Sequence, residues 1–179
     1  STFLVNSEIR KKIKRIKKKN KIINISKQNS LIKNLDFILT NDQTKSLNEI
    51  NQDLSSSNKM FRLLQGDVGS GKTIVSLLAA INTINSGFQV AIMAPTEILA
   101  RQHFNLAKKI FPKNINLELI SGKSEYRIKK EILKNLEINK IDIIFGTHAI
   151  FQKKVIFRKL GLIIIDEQHK FGVNQRKRL

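Results

Sequence analysis

The sequence predicts an α/β domain with a mainly parallel sheet flanked by helices, preceded by a basic helix and linker. Three observations carry the prediction. Short β-rich runs alternate with helical patterns from Asp36 onward, at the spacing of strand–helix–strand units. Two of these runs, Ile141–Phe145 and Leu160–Ile165, are apolar enough for central strands buried on both faces. A glycine-rich loop at Gly66–Thr73 joins a strand pattern to a helical one.

The elements follow in chain order. Over Thr2–Lys21, Leu4, Ile9, Ile13 and Ile16 recur at near-helical spacing between basic residues, predicting a helix with a cationic face. Asn20–Asn34 is polar and weakly patterned and reads as a linker, so residues 1–34 separate from a domain over 35–179. Thr40–Asn41–Asp42 caps a helix through Leu54, with Leu47, Ile50 and Leu54 on one face. Met60–Gln65 is a strand candidate, and Thr73–Ser86 a helix stopped by Gly87. Val90–Ala94 is a strand. Thr96 then caps a helix with Ile98, Leu99, Phe104 and Leu106 as apolar positions, ended by Pro112. Ile115–Ile120 is the next strand, and Ser124–Leu136 a helix aligning Ile128, Ile132, Leu133 and Leu136.

Composition narrows the function. The 179 residues are 41% hydrophobic, enough for one sizeable core. Cysteine is absent, which excludes disulfides and cysteine-based zinc sites. The net charge is +19, from 33 basic and 14 acidic residues. That balance favours an anionic partner, nucleic acid first, with a general drift toward Lys, Asn and Ile as the bland alternative. No apolar run approaches the roughly 18 residues that a bilayer span needs. Arg10–Lys21 is charged where a secretory signal would be apolar. The opening Ser1, in place of Met, fits a processed product or a fragment.

Gly66, Asp67, Val68, Gly69, Ser70, Gly71, Lys72 and Thr73 satisfy G-x-x-x-x-G-K-[ST]. Glycines permit backbone shapes in which successive N–H groups turn inward around phosphate oxygens. Helix onset at Lys72–Thr73 adds the positive end of a dipole. Lys72 supplies a point charge to the β- and γ-phosphates of ATP, and the Thr73 hydroxyl a ligand for Mg²⁺.

The apolar run Leu160–Ile165 leads into Asp166-Glu167-Gln168-His169. A carboxylate at the end of a buried strand sits at the sheet edge where ligands of such folds bind. Asp166 suits the Mg²⁺ hydration shell, and Glu167 the orientation and deprotonation of an attacking water. Two adjacent acids in a turn are otherwise ordinary solvated charge.

Four segments taken together, Gly66–Thr73 (GDVGSGKT), Ala94–Ala100 (APTEILA), Gly146–Ala149 (GTHA) and Asp166–Val173 (DEQHKFGV), resemble the RecG family of bacterial superfamily 2 DNA helicases. The match runs from about Phe37 to Leu179. The transcription–repair coupling factor has a similar motor, but with an aromatic residue where Ser70 stands and a different run at Pro95–Ala100.

The resemblance implies a RecA-like ATPase fold, translocation on duplex DNA, and remodelling of forks or Holliday junctions in recombination and repair. It casts Phe37, Leu39, Thr40 and Gln43 as the adenine-reading segment, although Asp42 stands where the family commonly has Ala. Pro95, Thr96, Glu97, Arg101 and Gln102 match the motif that touches the DNA backbone, with helix capping as the simpler role for Thr96. Gly122 with Ser121, and Thr147 with His148, match further DNA-contact loops. Phe171, Gln175 and Arg176 match the loop coupling the acidic pair to DNA, and His169 a relay between nucleotide and DNA. Arg10–Lys21 resembles the connector between a wedge domain and the motor.

Relatives continue into a second RecA-like domain carrying an arginine finger, the coupling partner that the resemblance implies. A monomeric, cytoplasmic bacterial helicase is therefore expected, of which this segment alone binds ATP with little hydrolysis and no unwinding. Two other readings stay open: a basic nucleic-acid-binding module with a vestigial nucleotide site, and a different P-loop enzyme such as a metabolite kinase.

Overall fold

The computed structural model describes residues 19–66, 69–122 and 124–166. The basic helix expected over 2–21 therefore falls almost wholly outside the described residues. The chain divides into two compact units, Ser1–Ser86 and Gly87–Leu179.

In the first unit, the stretch read as a linker contains a helix, α1 (Ile25–Lys33). The side chain of Asn24 caps it by accepting from the Lys27 N–H at 2.9 Å. Only Gln28 and Leu31 of α1 are buried, so its apolar signal is too thin to read from sequence. Helix α2 (Asn41–Ser55) forms where expected. Thr40 and Gln43 close a reciprocal capping box, and Leu47, Ile50 and Leu54 are buried. Helix α3 (Lys72–Asn85) begins one residue before the predicted start. Gly87 follows it at φ 78°, the left-handed conformation that glycine adopts at little cost.

Met60–Gln65, read as a strand, forms none in the described structure. Phe61 and Leu63 are exposed. Arg62 instead binds α2, with Glu49 at 2.7 Å and Asp53 at 2.8 Å. An apolar run becomes a strand only when a neighbouring strand satisfies its main chain.

Buried amides tie the three helices together. The Asn24 N–H donates to Asn82 Oδ1 at 2.9 Å. Asn82 Nδ2 donates to Asn51 Oδ1 at 3.0 Å, and Asn51 Nδ2 to Gln28 Oε1 at 2.9 Å. Gln28 Nε2 closes the chain on the Leu78 carbonyl at 2.8 Å. All three side chains are buried, so each bond removes a desolvation penalty of roughly 1–3 kcal/mol.

The second unit is a four-stranded parallel sheet in the order β2-β3-β1-β4. Its strands are β1 (Gln89–Met93), β2 (Leu117–Leu119), β3 (Ile143–Gly146) and β4 (Leu160–Ile165). Helix α4 (Glu97–Ile110) joins β1 to β2, and α5 (Tyr126–Glu137) joins β2 to β3. Phe104 of α4 meets Phe145 of β3 edge-on, with centroids 5.6 Å apart. Ile132 and Leu136 of α5 join Ala91 and Ile144 in one core cluster. Since residues 144 and 145 point to opposite faces of a strand, helices cover both sides of the sheet.

Gln89 is a buried polar residue that sequence reading passed over. Its Nε2 donates to the Leu136 and Ile141 carbonyls at 2.9 and 3.0 Å, and its Oε1 accepts from the Lys159 N–H at 3.0 Å.

Four expectations shift in this unit. Strand β2 is shorter than Ile115–Ile120, because the Ile115 N–H is held in a turn on the Pro112 carbonyl. Strand β4 is not buried on both faces: Ile163 is 47% and Ile165 52% exposed, while Leu162 is buried. It is the end strand of this sheet, and a uniformly apolar sequence cannot reveal which alternate residues stay open. In α4 the buried face is Ala100, His103, Ala107 and Ile110, and Ile98 is exposed. The small alanines let the helix approach closely, whereas residue size had drawn the reading to Ile98, Leu99, Phe104 and Leu106. In α5, Ile132 and Leu136 are buried as expected and Ile128 is exposed.

Two measurements check this description. Asn82→Ala orphans the Asn24 N–H and leaves Asn51 Oδ1 only its longer bond from Gln28 Nε2, so denaturant unfolding should register a loss of about 2–3 kcal/mol. The Glu118 carboxyl is pushed above its ordinary value, first by burial and then by the nearby Glu131 carboxylate, with Lys108 and the Leu119 N–H opposing. A raised carboxyl favours the protonated folded form, so the charge costs stability as pH rises through the raised value. Glu118→Gln should therefore raise the melting temperature at neutral pH, with the gain vanishing on acidification below the usual glutamate range.

Candidate nucleotide and DNA-contact sites

The phosphate loop lies in the first unit. Gly69 and Gly71 have φ 84° and 79°, values that L side chains rarely adopt. Gly71 is the N-cap of α3, which has no side-chain cap hydrogen bond and no acidic residue in its first turn. Helices α1, α2 and α4 are capped by Asn24, Thr40 and Thr96. A helix start without a side-chain cap suits an anionic oxygen as its acceptor.

Side chains reinforce the loop. Lys72 Nζ donates to the Gly66 carbonyl at 2.6 Å and to Ser70 Oγ at 3.4 Å, which keeps the ammonium inside the loop. A Cβ on Gly66 would meet Ser70 Oγ at 2.6 Å, and one on Gly71 would collide with Gln43 Nε2. Gln43, expected at the adenine, donates Nε2 to the Ser70 carbonyl at 2.8 Å and accepts the Thr40 N–H at 2.9 Å. In this arrangement it braces the loop. Thr73 is partly buried in the first turn of α3. Glycine backbone, one ammonium and one hydroxyl form a donor set that fits a triphosphate with Mg²⁺. Asp67 and Val68 lie outside the described residues.

The second unit brings other candidates to one edge. Its strands are parallel, so the segments leaving them emerge on the same side: Pro95–Thr96 after β1, Ser121–Gly122 after β2, Thr147–His148 after β3 and Asp166 after β4. The Asp166 N–H continues the ladder onto the Met93 carbonyl at 2.8 Å. Pro95, Thr96, Arg101, Gln102, Gly122 and His148 are exposed there.

Glu97 is turned inward. It accepts from Ser121 Oγ at 3.3 Å and, at short range, from the Gly122 N–H. Its carboxylate ties the start of α4 to the loop after β2, and Lys129 of α5 donates to the Gly122 carbonyl at 2.8 Å. Thr96 Oγ1 accepts the Leu99 N–H at 3.2 Å, so it caps α4. Glu167, His169, Phe171, Gln175 and Arg176 lie outside the described residues.

Sequence reading missed His103. Its Nε2 lies 2.7 Å from Asp166 Oδ2, and both side chains are largely buried. The available signal was a histidine spaced with Ala100 and Ala107 on the face of α4 that packs inward.

The model of the DEAD/DEAH box helicase family matches residues 40–179, and the chain belongs to that family. Its parallel sheet with flanking helices is the RecA-like α/β fold. The particular type it resembles is RecG. ATP-dependent DNA helicase RecG of Streptococcus pneumoniae is 51% identical over 143 residues, covering 80% of this chain and 21% of that protein. RecG of Bacillus subtilis is 50% identical over 149 residues, covering 83% and 22%. A solved structure of RecG bound to a three-way DNA junction matches with a TM-score of 0.84 and 44% identity, covering 92% of this chain and 23% of that one. The UvsW helicase of bacteriophage T4, at TM-score 0.58 and 17% identity over 85% of this chain and 54% of that one, shares the fold. The chain thus spans about a fifth of the length of the RecG relatives it matches.

Removing the Glu97 carboxylate should loosen the loop it holds. Glu97→Ala is expected to cost about 1–2 kcal/mol in denaturant unfolding, for bonds made by a charged acceptor. Arg101→Ala, an exposed change on the same helix, should stay within about 0.5 kcal/mol of the parent.

Proposed function

We propose that this chain is the ATP- and DNA-binding first motor domain of a RecG-like DNA helicase, with residues 1–34 as connector and 35–179 as motor. In the complete protein it would couple ATP hydrolysis to the unwinding of forks and Holliday junctions in bacterial recombination and repair, in the cytoplasm and as a monomer. The observation that carries the reading is the start of α3: an uncapped helix end, two left-handed glycines and an ammonium drawn into the same loop.

In this mechanism the N–H groups of Gly69–Thr73 bind the phosphate oxygens, and Lys72 moves from the Gly66 carbonyl to the β- and γ-phosphates. Thr73 and Asp166 would hold Mg²⁺, which would supply charge neutralisation for the phosphates. Glu167 orients the attacking water and takes its proton. Gln43 leaves the Ser70 carbonyl to pair with the adenine edge as donor and acceptor. The exposed Thr96, Arg101, Gln102, Gly122 and His148, with the half-buried Thr147, contact the DNA backbone, and Phe171, Gln175 and Arg176 relay that contact to the acidic pair. An arginine finger from a second RecA-like domain would complete the site, and a wedge domain would split the fork.

The test is binding of a fluorescent ATP analogue with Mg²⁺, alongside binding of forked DNA. Lys72→Ala should weaken nucleotide at least tenfold and leave DNA affinity in place. DNA affinity should fall steeply with salt as counterions are released. Nucleotide binding unchanged by Lys72→Ala would overturn the proposal and favour a basic nucleic-acid-binding module.

A further inference from the structure

The contact between His103 and Asp166 joins two parts of the chain to which the reading above gives different tasks. Asp166 follows β4 and belongs to the acidic pair. His103 lies on α4, the helix whose first turns carry Thr96, Arg101 and Gln102. Nε2 and Oδ2 are 2.7 Å apart, and the two side chains are 9% and 17% exposed. An ionised carboxylate only accepts hydrogen bonds, so the nitrogen facing it carries the hydrogen and the imidazole is the donor. The contact is short and largely shielded from water, so it restrains the Asp166 side chain more firmly than an exposed pair would.

Both ends of this contact are held. On one side, the Asp166 main chain is pinned through its N–H to the Met93 carbonyl at 2.8 Å. The backbone is thereby placed and the direction of the carboxylate is left to side-chain torsions. On the other side, α4 is an unbroken helix of 14 residues, capped by Thr96 and packed through Ala100, Ala107 and Ile110. Thr96 and His103 are seven residues apart, about 10 Å along a rigid helix. Glu97, in the first turn, is fastened to Ser121 and Gly122. A displacement where DNA meets Thr96 or the loop after β2 therefore reaches the imidazole through a stiff element.

We infer that His103 is the positioning residue for the Asp166 carboxylate and links the DNA-contact helix to the metal site. The inference rests on the ATP-binding helicase reading and adds to it the route by which DNA reaches the nucleotide's metal. His103 touches neither nucleotide nor DNA in this role. It holds one carboxylate oxygen so that the group keeps a fixed orientation toward the metal's water shell, as outer-shell partners do for metal-binding carboxylates.

The experiment is a Mg²⁺ titration of fluorescent ATP-analogue binding to this chain, with and without forked DNA. His103→Ala should raise the Mg²⁺ concentration giving half-maximal tightening about tenfold, the lower end of the usual loss for an outer-shell partner. His103→Gln presents an amide nitrogen at the same number of bonds from the main chain, and should restore most of that loss. His103→Leu fills the buried space without a donor and should behave like His103→Ala, so it is read in its place should the alanine variant not fold.

In the parent, DNA should shift the Mg²⁺ midpoint, and by linkage Mg²⁺–nucleotide should shift DNA affinity by the same factor. Both shifts should vanish without the donor while DNA still binds. A folded His103→Ala or His103→Leu with the parent midpoint and the parent DNA shift would overturn the inference. So would an equal loss in metal-free binding, or a loss that His103→Gln leaves unrepaired. A parent showing no Mg²⁺-dependent nucleotide binding at all would instead sink the helicase reading itself.

Discussion

A parallel ladder constrains every connection made to it. Each strand must be re-entered from the same end, so the chain crosses back through a helix or loop and each departing segment leaves from one edge. In the second unit this places the ends of β1, β2, β3 and β4 side by side, and with them Thr96, Gly122, Thr147 and Asp166. None of these residues needs an affinity for the others. The sheet's hydrogen-bond geometry gathers them, and the core of Ala91, Ile144, Ile132 and Leu136 holds the sheet in register.

Helix starts divide the labour at such sites. Asn24, Thr40 and Thr96 satisfy their own helices with a side-chain oxygen, which stabilises each by about 1 kcal/mol. Gly71 does not, and α3 compensates elsewhere. Ten of its residues are buried, and its Asn82 and Leu78 carbonyl are bound into the amide chain with α1 and α2. A helix held by packing and buried amides along its length can leave its first turn open for a ligand. Glycine is required there for its left-handed conformation, and the end of the Gln43 side chain lies where a Cβ on Gly71 would stand.

Polar side chains turned inward join segments that leave the sheet edge. Glu97 binds the loop after β2, and His103 binds the acidic end of β4. Both sit on α4, so a single helix touches two of the segments that the sheet edge gathers. Such residues contribute less through their own contact energy than through the relative placement they enforce. A motif and its neighbour can be separated by dozens of residues in sequence and still move as one piece when a helix and a hydrogen bond connect them.

Alternating periodicity, helix caps and the glycine loop were legible in the sequence because each rests on interactions within a few residues. The Thr40 and Thr96 caps, the order of helices and strands from α3 onward, the glycine loop before α3 and the end of β4 at Asp166 all belong to that class. Only the tertiary structure decided the rest. Ile25–Lys33 became a helix where buried amides from α2 and α3 met Asn24 and Gln28, which no local pattern encodes. Met60–Gln65 had an apolar sequence but forms no strand among the described residues, and Arg62 binds acids on α2. Glu97 faced inward and His103 reached Asp166 for the same reason. A side chain's partner across 24 or 63 residues is set by where the backbone carries both, and sequence reports only what each could bind.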